Sequence, residues 1–194
     1  MIYIGVDPGL TGAICAIDDD DNVLLKMQTP LNGKKEIDCR IIAIQIQKLK
    51  RNSSGKVFGV LENVGAMPGQ GVVAMFTFGH AVGEVKATLK IMTVPFQEVT
   101  PQTWKAEILK GLPWKAQTTR YKADKKLTDE ENSAVRKALA SKNRQAKKKA
   151  KLVSCEFISK RFPSLDIHMG SKNPNDGITD ALCMALYARF LQRG

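Results

Sequence analysis

The stretch MIYIGVDPGLTGAICAI (residues 1–17) decides how the rest of the chain is read. Ile2, Ile4 and Val6 alternate with small or polar neighbours, which is the period of a half-buried strand. That strand carries Asp7 into apolar company and then turns through Pro8, Gly9 and Gly12. A buried, unpaired carboxylate costs several kcal/mol or shifts its pKa until it is neutral. Asp7 is therefore expected to pair, to hold a cation or to do chemistry; the plain alternative is that it only starts the Pro-Gly turn.

Outward from this stretch, GAICAID and NVLLKMQ continue a three-stranded meander, joined by the run Asp18 to Asn22. Four successive carboxylates in a turn point in different directions, so this run is read as a solvated loop. KEIDCRIIAIQIQKLKRN places Ile37, Ile41, Ile44 and Leu49 near helical spacing, for a helix packed on the sheet. GKVFGVLENV is continuously apolar, as expected of a strand covered on both faces, and ends near Glu62. A glycine-rich loop leads to a helix over VVAMFTFGHAVGEVKATLK, and IMTVPFQEV is a fifth strand. TPQTWKAEILKG holds its own punctuation: Thr100 as N-cap, Pro101 at the first helical position and Gly111 past the end. Residues 112–146 have no clear apolar face and read as a basic, partly helical insertion. An amphipathic helix follows, ending at Pro163, and a last helix is capped by Asn175. The expectation is a single α/β domain over residues 1–194, a mixed five-stranded sheet with helices on both faces.

The 194 residues carry a net charge of +11. Residues 105–161 hold 17 Lys and Arg against 6 Asp and Glu, and elsewhere the two signs balance. A neutral scaffold with one concentrated basic segment is the footprint of a polyanion, most often nucleic acid. The four cysteines lack CxxC spacing and a His cluster, so neither a zinc site nor a disulfide framework is indicated. There is no signal-peptide pattern and no apolar run near the roughly 18 residues a spanning helix needs. The expectation is a soluble, cytoplasmic protein with no membrane and no small-molecule substrate.

If the first and fourth strands are neighbours, Asp7 and Glu62 reach one edge of the sheet. Asp176 and Asp180, four apart on the last helix, share a face with Cβ atoms about 6 Å apart. The bland reading of Asp176 is that it complements the helix dipole. Four carboxylates without His or Cys are hard oxygen donors, suited to Mg²⁺, with Mn²⁺ able to substitute. Two such ions roughly 4 Å apart clamp a phosphodiester. A carboxylate cluster beside a basic segment points to a nuclease.

YIGVDPGLTGA, GVLENV with GQGVVAMFTFGHAVG, TPQTWKAEILKG and NDGITDALCMALYA together resemble the RuvC family of Holliday-junction resolvases, particularly its phage-encoded branch. The resemblance covers most of residues 1–111 and 147–190. It implies an RNase H-like fold, a homodimer and divalent-metal cleavage of branched DNA, in the host cytoplasm if phage-encoded. Asp7, Glu62, Asp176 and Asp180 match the acidic tetrad. In many bacterial members the last two acids are three residues apart, but Gly177 stands three before Asp180. Those members also place an aromatic shortly after the glutamate, where this chain has Gly65, with Met67 the nearest bulky side chain. The insertion lies outside the bacterial pattern.

DNA contacts are expected from Lys105, Arg120, Lys122, Lys147, Lys148, Lys149 and Lys151, with Met67 at the junction. No single member of 147–151 is assigned a direct catalytic role. His80, mid-helix among apolar residues, is read as structural, and His168 as a possible proton shuttle. DPGLTG also resembles the first phosphate loop of actin-like ATPases, but that fold needs two lobes and a second such loop, which this length does not accommodate. A non-catalytic nucleic-acid-binding module or an RNA-directed RNase H-like nuclease are the other readings.

Overall fold

The computed structural model describes residues 1–34, 36–63, 65 and 71–194. Its strands are β1 (Ile2–Asp7), β2 (Ala13–Ile17), β3 (Val23–Gln28), β4 (Leu31–Asn32), β5 (Glu36–Ile37), β6 (Val57–Glu62) and β7 (Phe96–Val99). Its helices are α1 (Cys39–Asn52), α2 (Val72–Ile91), α3 (Pro101–Ile108), α4 (Asp129–Arg161) and α5 (Asp176–Arg193). The main sheet has the order β3-β2-β1-β6-β7. β1 to β3 are an antiparallel meander, and β6 and β7 join parallel to β1.

The pleat of β1 divides the molecule. Ile2, Ile4 and Val6 face a core shared with α1 and α2, built on Ile42, Ile46 and Leu49 and on Ala81, Val85 and Leu89. Tyr3 belongs to the opposite core, formed by α3, α4 and α5. Period-2 alternation puts Gly5 and Asp7 on that same side. β6 repeats the arrangement, with Val57 and Leu61 on one face and Val60 on the other, so Glu62 shares the face of Asp7.

Gly5 is where α5 crosses the sheet. A Cβ there would lie 1.9 Å from the Ala181 carbonyl oxygen and 2.4 Å from the Ala185 nitrogen. Only glycine allows that approach, and α5 is buried almost continuously from Gly177 to Ala188.

Several expectations are revised. Ile37 belongs to β5, and α1 starts after Asp38, whose carboxylate caps the Arg40 and Ile41 N–H groups. The sheet-facing stripe of α1 is Ile42, Ile46 and Leu49; Ile41 and Ile44 are exposed, because capping at Asp38 sets the helical phase. The strand expected over 91–99 is only β7, since α2 runs on to Ile91. From Asp129 onward the basic segment is continuous with the helix after it as one 33-residue helix, α4, started by a capping box between Thr128 and Glu131, while residues 112–128 are not helical.

The aspartate run is not a free solvated loop. Asp18 closes the turn by accepting from the Asp20 and Asn22 N–H groups. Asp19 accepts from the Tyr3 hydroxyl and Arg193, and Asp21 pairs with Arg161 and Arg189. The C-terminal ends of α4 and α5 carry the arginines that neutralise the hairpin. Spacing along the chain hides this, because the partners lie 140 to 174 residues away.

All four cysteines are free, and three are buried. Burial pushes the Cys15 thiol up to about 12. Among the described residues, no helix is long and apolar enough to cross a membrane.

Candidate active site

The C-terminal ends of β1 and β6, the start of α5, and side chains from α2, α3 and α4 surround one cavity of about 570 Å³. Asp7, Glu62, Asp176, Asp180, Lys105 and Lys151 all line it. The four carboxylates come from three separate elements, and the sheet register brings the first two together, since Val6 pairs with Leu61 immediately before them.

Asp7, at the end of β1, is half-buried among the other three carboxylates. Burial raises its pKa well above the ordinary carboxylate value, and repulsion from Glu62, Asp180 and Asp176 adds to that, with Lys105 opposing. Glu62 is 8% exposed, and its Oε1 accepts a hydrogen bond of 3.0 Å from the Trp104 indole N–H. Burial raises its pKa as well; the Trp104 bond and Lys105 pull the other way, and Asp180 adds to the rise. Trp104 has 0% exposure, so its N–H needs an internal acceptor and Glu62 supplies it. The TPQTWK motif marked Lys105 and not this partner. A tryptophan on a short capped helix was the available signal.

Lys105 donates to Asp180 at 3.2 Å and lies over the Trp104 ring, 4.7 Å from its centroid. Lys151 donates to Asp176 at 2.7 Å. This pair is at the mouth, its side chains 72% and 58% exposed. The hydrogen bond from Lys151 lowers the Asp176 pKa, and the same bond raises that of Lys151.

Gly177 explains the spacing of the last two acids. A Cβ there would lie 3.0 Å from the Thr11 carbonyl and 3.3 Å from Asp7 Oδ2. A carboxylate at that position would press directly against Asp7. The acid one residue earlier, at the first position of α5, reaches the mouth instead.

Among the described residues, no group of three or more His, Cys, Asp or Glu side chains is placed to enclose a metal ion as it stands. Lys105 and Lys151 hold two of the carboxylates on ammonium groups. The donor chemistry still fits a hard divalent cation: four carboxylates face one cavity, and the mutual repulsion that raises Asp7 is relieved by positive charge.

Other expected residues lie apart from the cavity. Lys147, Lys148 and Lys149 are exposed on α4, and Arg120 and Lys122 are exposed in the segment before it. Met67 lies outside the described residues. His80 is not in apolar company: its side chain is 56% exposed and 3.6 Å from Glu84, because the first half of α2 stands clear of the core. His168 lines a neighbouring cavity that shares Leu10, Thr11 and Asp176 with the first. Thr77 and Phe78 of α2 form part of the site wall; the motif that contains them did not single them out.

This architecture, a mixed five-stranded sheet with helices on both faces, is an RNase H-like α/β fold. The chain is similar in structure to Thermus thermophilus RuvC in complex with a Holliday junction substrate, with TM-score 0.54, 15% identity, and coverage of 100% of this chain and 95% of that one. It is also similar to a second Thermus thermophilus RuvC structure, with TM-score 0.52, 15% identity, and coverage of 100% and 96%. No family model matches the sequence, and no curated protein matches it. At this identity the likeness concerns the fold.

Proposed function

We propose that the protein is a structure-selective endonuclease that cleaves four-way junctions and related branched DNA by divalent-metal-dependent phosphodiester hydrolysis, leaving 5′-phosphate and 3′-hydroxyl ends. The observation that carries this reading is the gathering of Asp7, Glu62, Asp176 and Asp180 around one cavity with two lysines at their side. The likeness to a RuvC bound to a Holliday junction supports the choice of substrate.

Asp7, Glu62, Asp176 and Asp180 would hold Mg²⁺, or Mn²⁺ in its place. Bound there, such ions supply a polarised water and neutralise charge developing at the phosphate. Trp104 holds Glu62 in one orientation from within the core. Lys105 and Lys151 are the cations at hand for the phosphate oxygens. The chain is read as one nuclease domain with 112–146 as a basic insertion, of the phage-encoded branch and acting in the host cytoplasm.

Labelled duplex, fork, four-way junction and RNA:DNA hybrid, each incubated with protein in Mg²⁺ or EDTA, test the proposal. Junction cutting in Mg²⁺ alone is expected. Cutting of the hybrid in preference would make the enzyme RNA-directed, and binding without any cutting would make it a binding module.

Two predictions arise here. If Asp176 belongs to the cation site, Asp176→Asn raises the Mg²⁺ needed for half-maximal cleavage and slows single turnover by tenfold or more, with little change in melting. If it serves only the helix dipole, the variant loses about 0.3–1 kcal/mol of stability and cleaves like wild type at limiting Mg²⁺. The second concerns assembly. Val72, Val73 and Phe76 are 85%, 74% and 76% exposed beside the cavity wall, an apolar patch suited to a second copy of the chain. A dimer mass by light scattering is expected, reduced to a monomer mass in Phe76→Asp; a wild-type monomer would refute the dimer.

A further inference from the structure

Beyond the core they share, α4 and α5 are joined by two polar side-chain contacts: Cys155 Sγ lies 3.4 Å from Thr179 Oγ1, and Lys151 donates to Asp176 at the cavity mouth. Both points lie on one side of α4. α5 begins at Asp176, so towards the N-terminus of α4 that side continues past the end of its partner.

Helical phase identifies what this side carries. At about 100° per residue, Arg136, Lys137, Arg144, Lys147 and Lys148 fall within about 60° of Lys151, whereas Lys142 and Lys149 fall about 160–180° away. All five are exposed. Among the described residues, Lys151 is the only cation of α4 between positions 136 and 151 with a carboxylate partner. The segment before α4 does not cover them. It is fastened along the edge of this side nearest Arg136, where Thr119 and Asn143 exchange two hydrogen bonds and Asn132 bonds Tyr121, Asp124 and Leu127, and it leaves all five cations exposed. Those two asparagines lie about 80–100° from Lys151 by the same count.

Resting on the nuclease reading above, we infer that this face of α4 is a track for one duplex arm of the DNA, with Lys151 at the cavity and Arg136 about 20 Å farther out at ~1.5 Å per residue. That length matches about six phosphate steps of one strand at ~3.4 Å each. A row of fixed cations at this spacing grips the backbone without reading sequence, which suits an enzyme whose target is a shape. Arg136, Lys137 and Arg144 thereby join the DNA contacts, and Lys149 is turned away from them.

The test is a matched pair of double variants with equal loss of charge: Lys137→Gln with Arg144→Gln on the track, and Lys142→Gln with Lys149→Gln opposite. Glutamine is a good helix former and all four sites are exposed, so helix content by circular dichroism should match wild type. Affinity for a 30-base-pair duplex and for a four-way junction is measured in EDTA across a salt series. Each phosphate contact contributes about 0.9 to the slope of log affinity against log salt, so the track variant should lose up to about 2 units and the opposite variant close to none. Equal changes in the two variants, or a larger one opposite, overturn the track. Junction cutting by a track variant with wild-type slope would overturn the track and leave the nuclease standing. A track-specific change in slope in a protein that cuts nothing would support the track and remove the nuclease.

Discussion

Asp7→Asn is expected to slow junction cleavage by about a thousandfold or more, several kcal/mol at about 1.4 kcal/mol per factor of ten, while junction binding is retained. The same substitution should raise the melting temperature of the metal-free protein at neutral pH. Partial burial, and after it three neighbouring carboxylates, raise the pKa of Asp7 well above the ordinary value. A carboxyl with a raised folded pKa contributes stability that is fully present below its unfolded pKa and lost as pH rises through the folded one. At neutral pH, above the unfolded pKa, this carboxyl therefore costs the metal-free fold stability, and the isosteric amide removes that cost. The stabilisation should shrink as pH falls towards the ordinary carboxylate range, where wild-type Asp7 is itself neutral. Single-turnover cleavage and thermal melting on one sample decide the matter. Wild-type cleavage would remove Asp7 from catalysis, and lost cleavage with a lower melting temperature at neutral pH would make it a structural residue.

Gly5→Ala should have the largest effect on stability. The added methyl would meet the backbone of α5 at 1.9 Å and 2.4 Å, and backbone cannot rotate away as a side chain can. α5 must lift from the sheet, opening the core that contains Ile178, Leu182 and Ala185. Overpacking costs typically 1–3 kcal/mol, and a backbone clash belongs at the upper end, so a loss of about 3 kcal/mol or more is expected. For a chain of this size that is on the order of 10 °C in melting temperature. Cleavage at a permissive temperature should fall too, because α5 carries Asp176 and Asp180. Melting like wild type would show that α5 accommodates a side chain at this crossing.

By itself the sequence determined the order of the five main-sheet strands, the mixed sheet and which four carboxylates could meet, but not the β4–β5 pair or the continuity of α4. These signals are local or periodic: the alternation in residues 2–7, the apolar run ending at Glu62, the Thr100 and Asn175 caps, and the i to i+4 spacing of Asp176 and Asp180. Parity in β1 and β6 also allowed Asp7 and Glu62 to reach one edge, provided the strands were neighbours. Only the tertiary structure decided that they are, and with which partners. The Trp104 bond to Glu62 spans 42 residues, Lys105 to Asp180 spans 75, and the arginines on the aspartate hairpin come from 140 residues away or more. Nothing in local propensity encodes such pairs, because they depend on how helices cross the sheet. Gly5 is the clearest instance. In sequence it is one small residue in a strand, and its necessity appears only when α5 lies across it. Gly177 is the same case at the site: its closeness to Asp7, not any pattern along the helix, leaves position 176 as the place for the fourth acid.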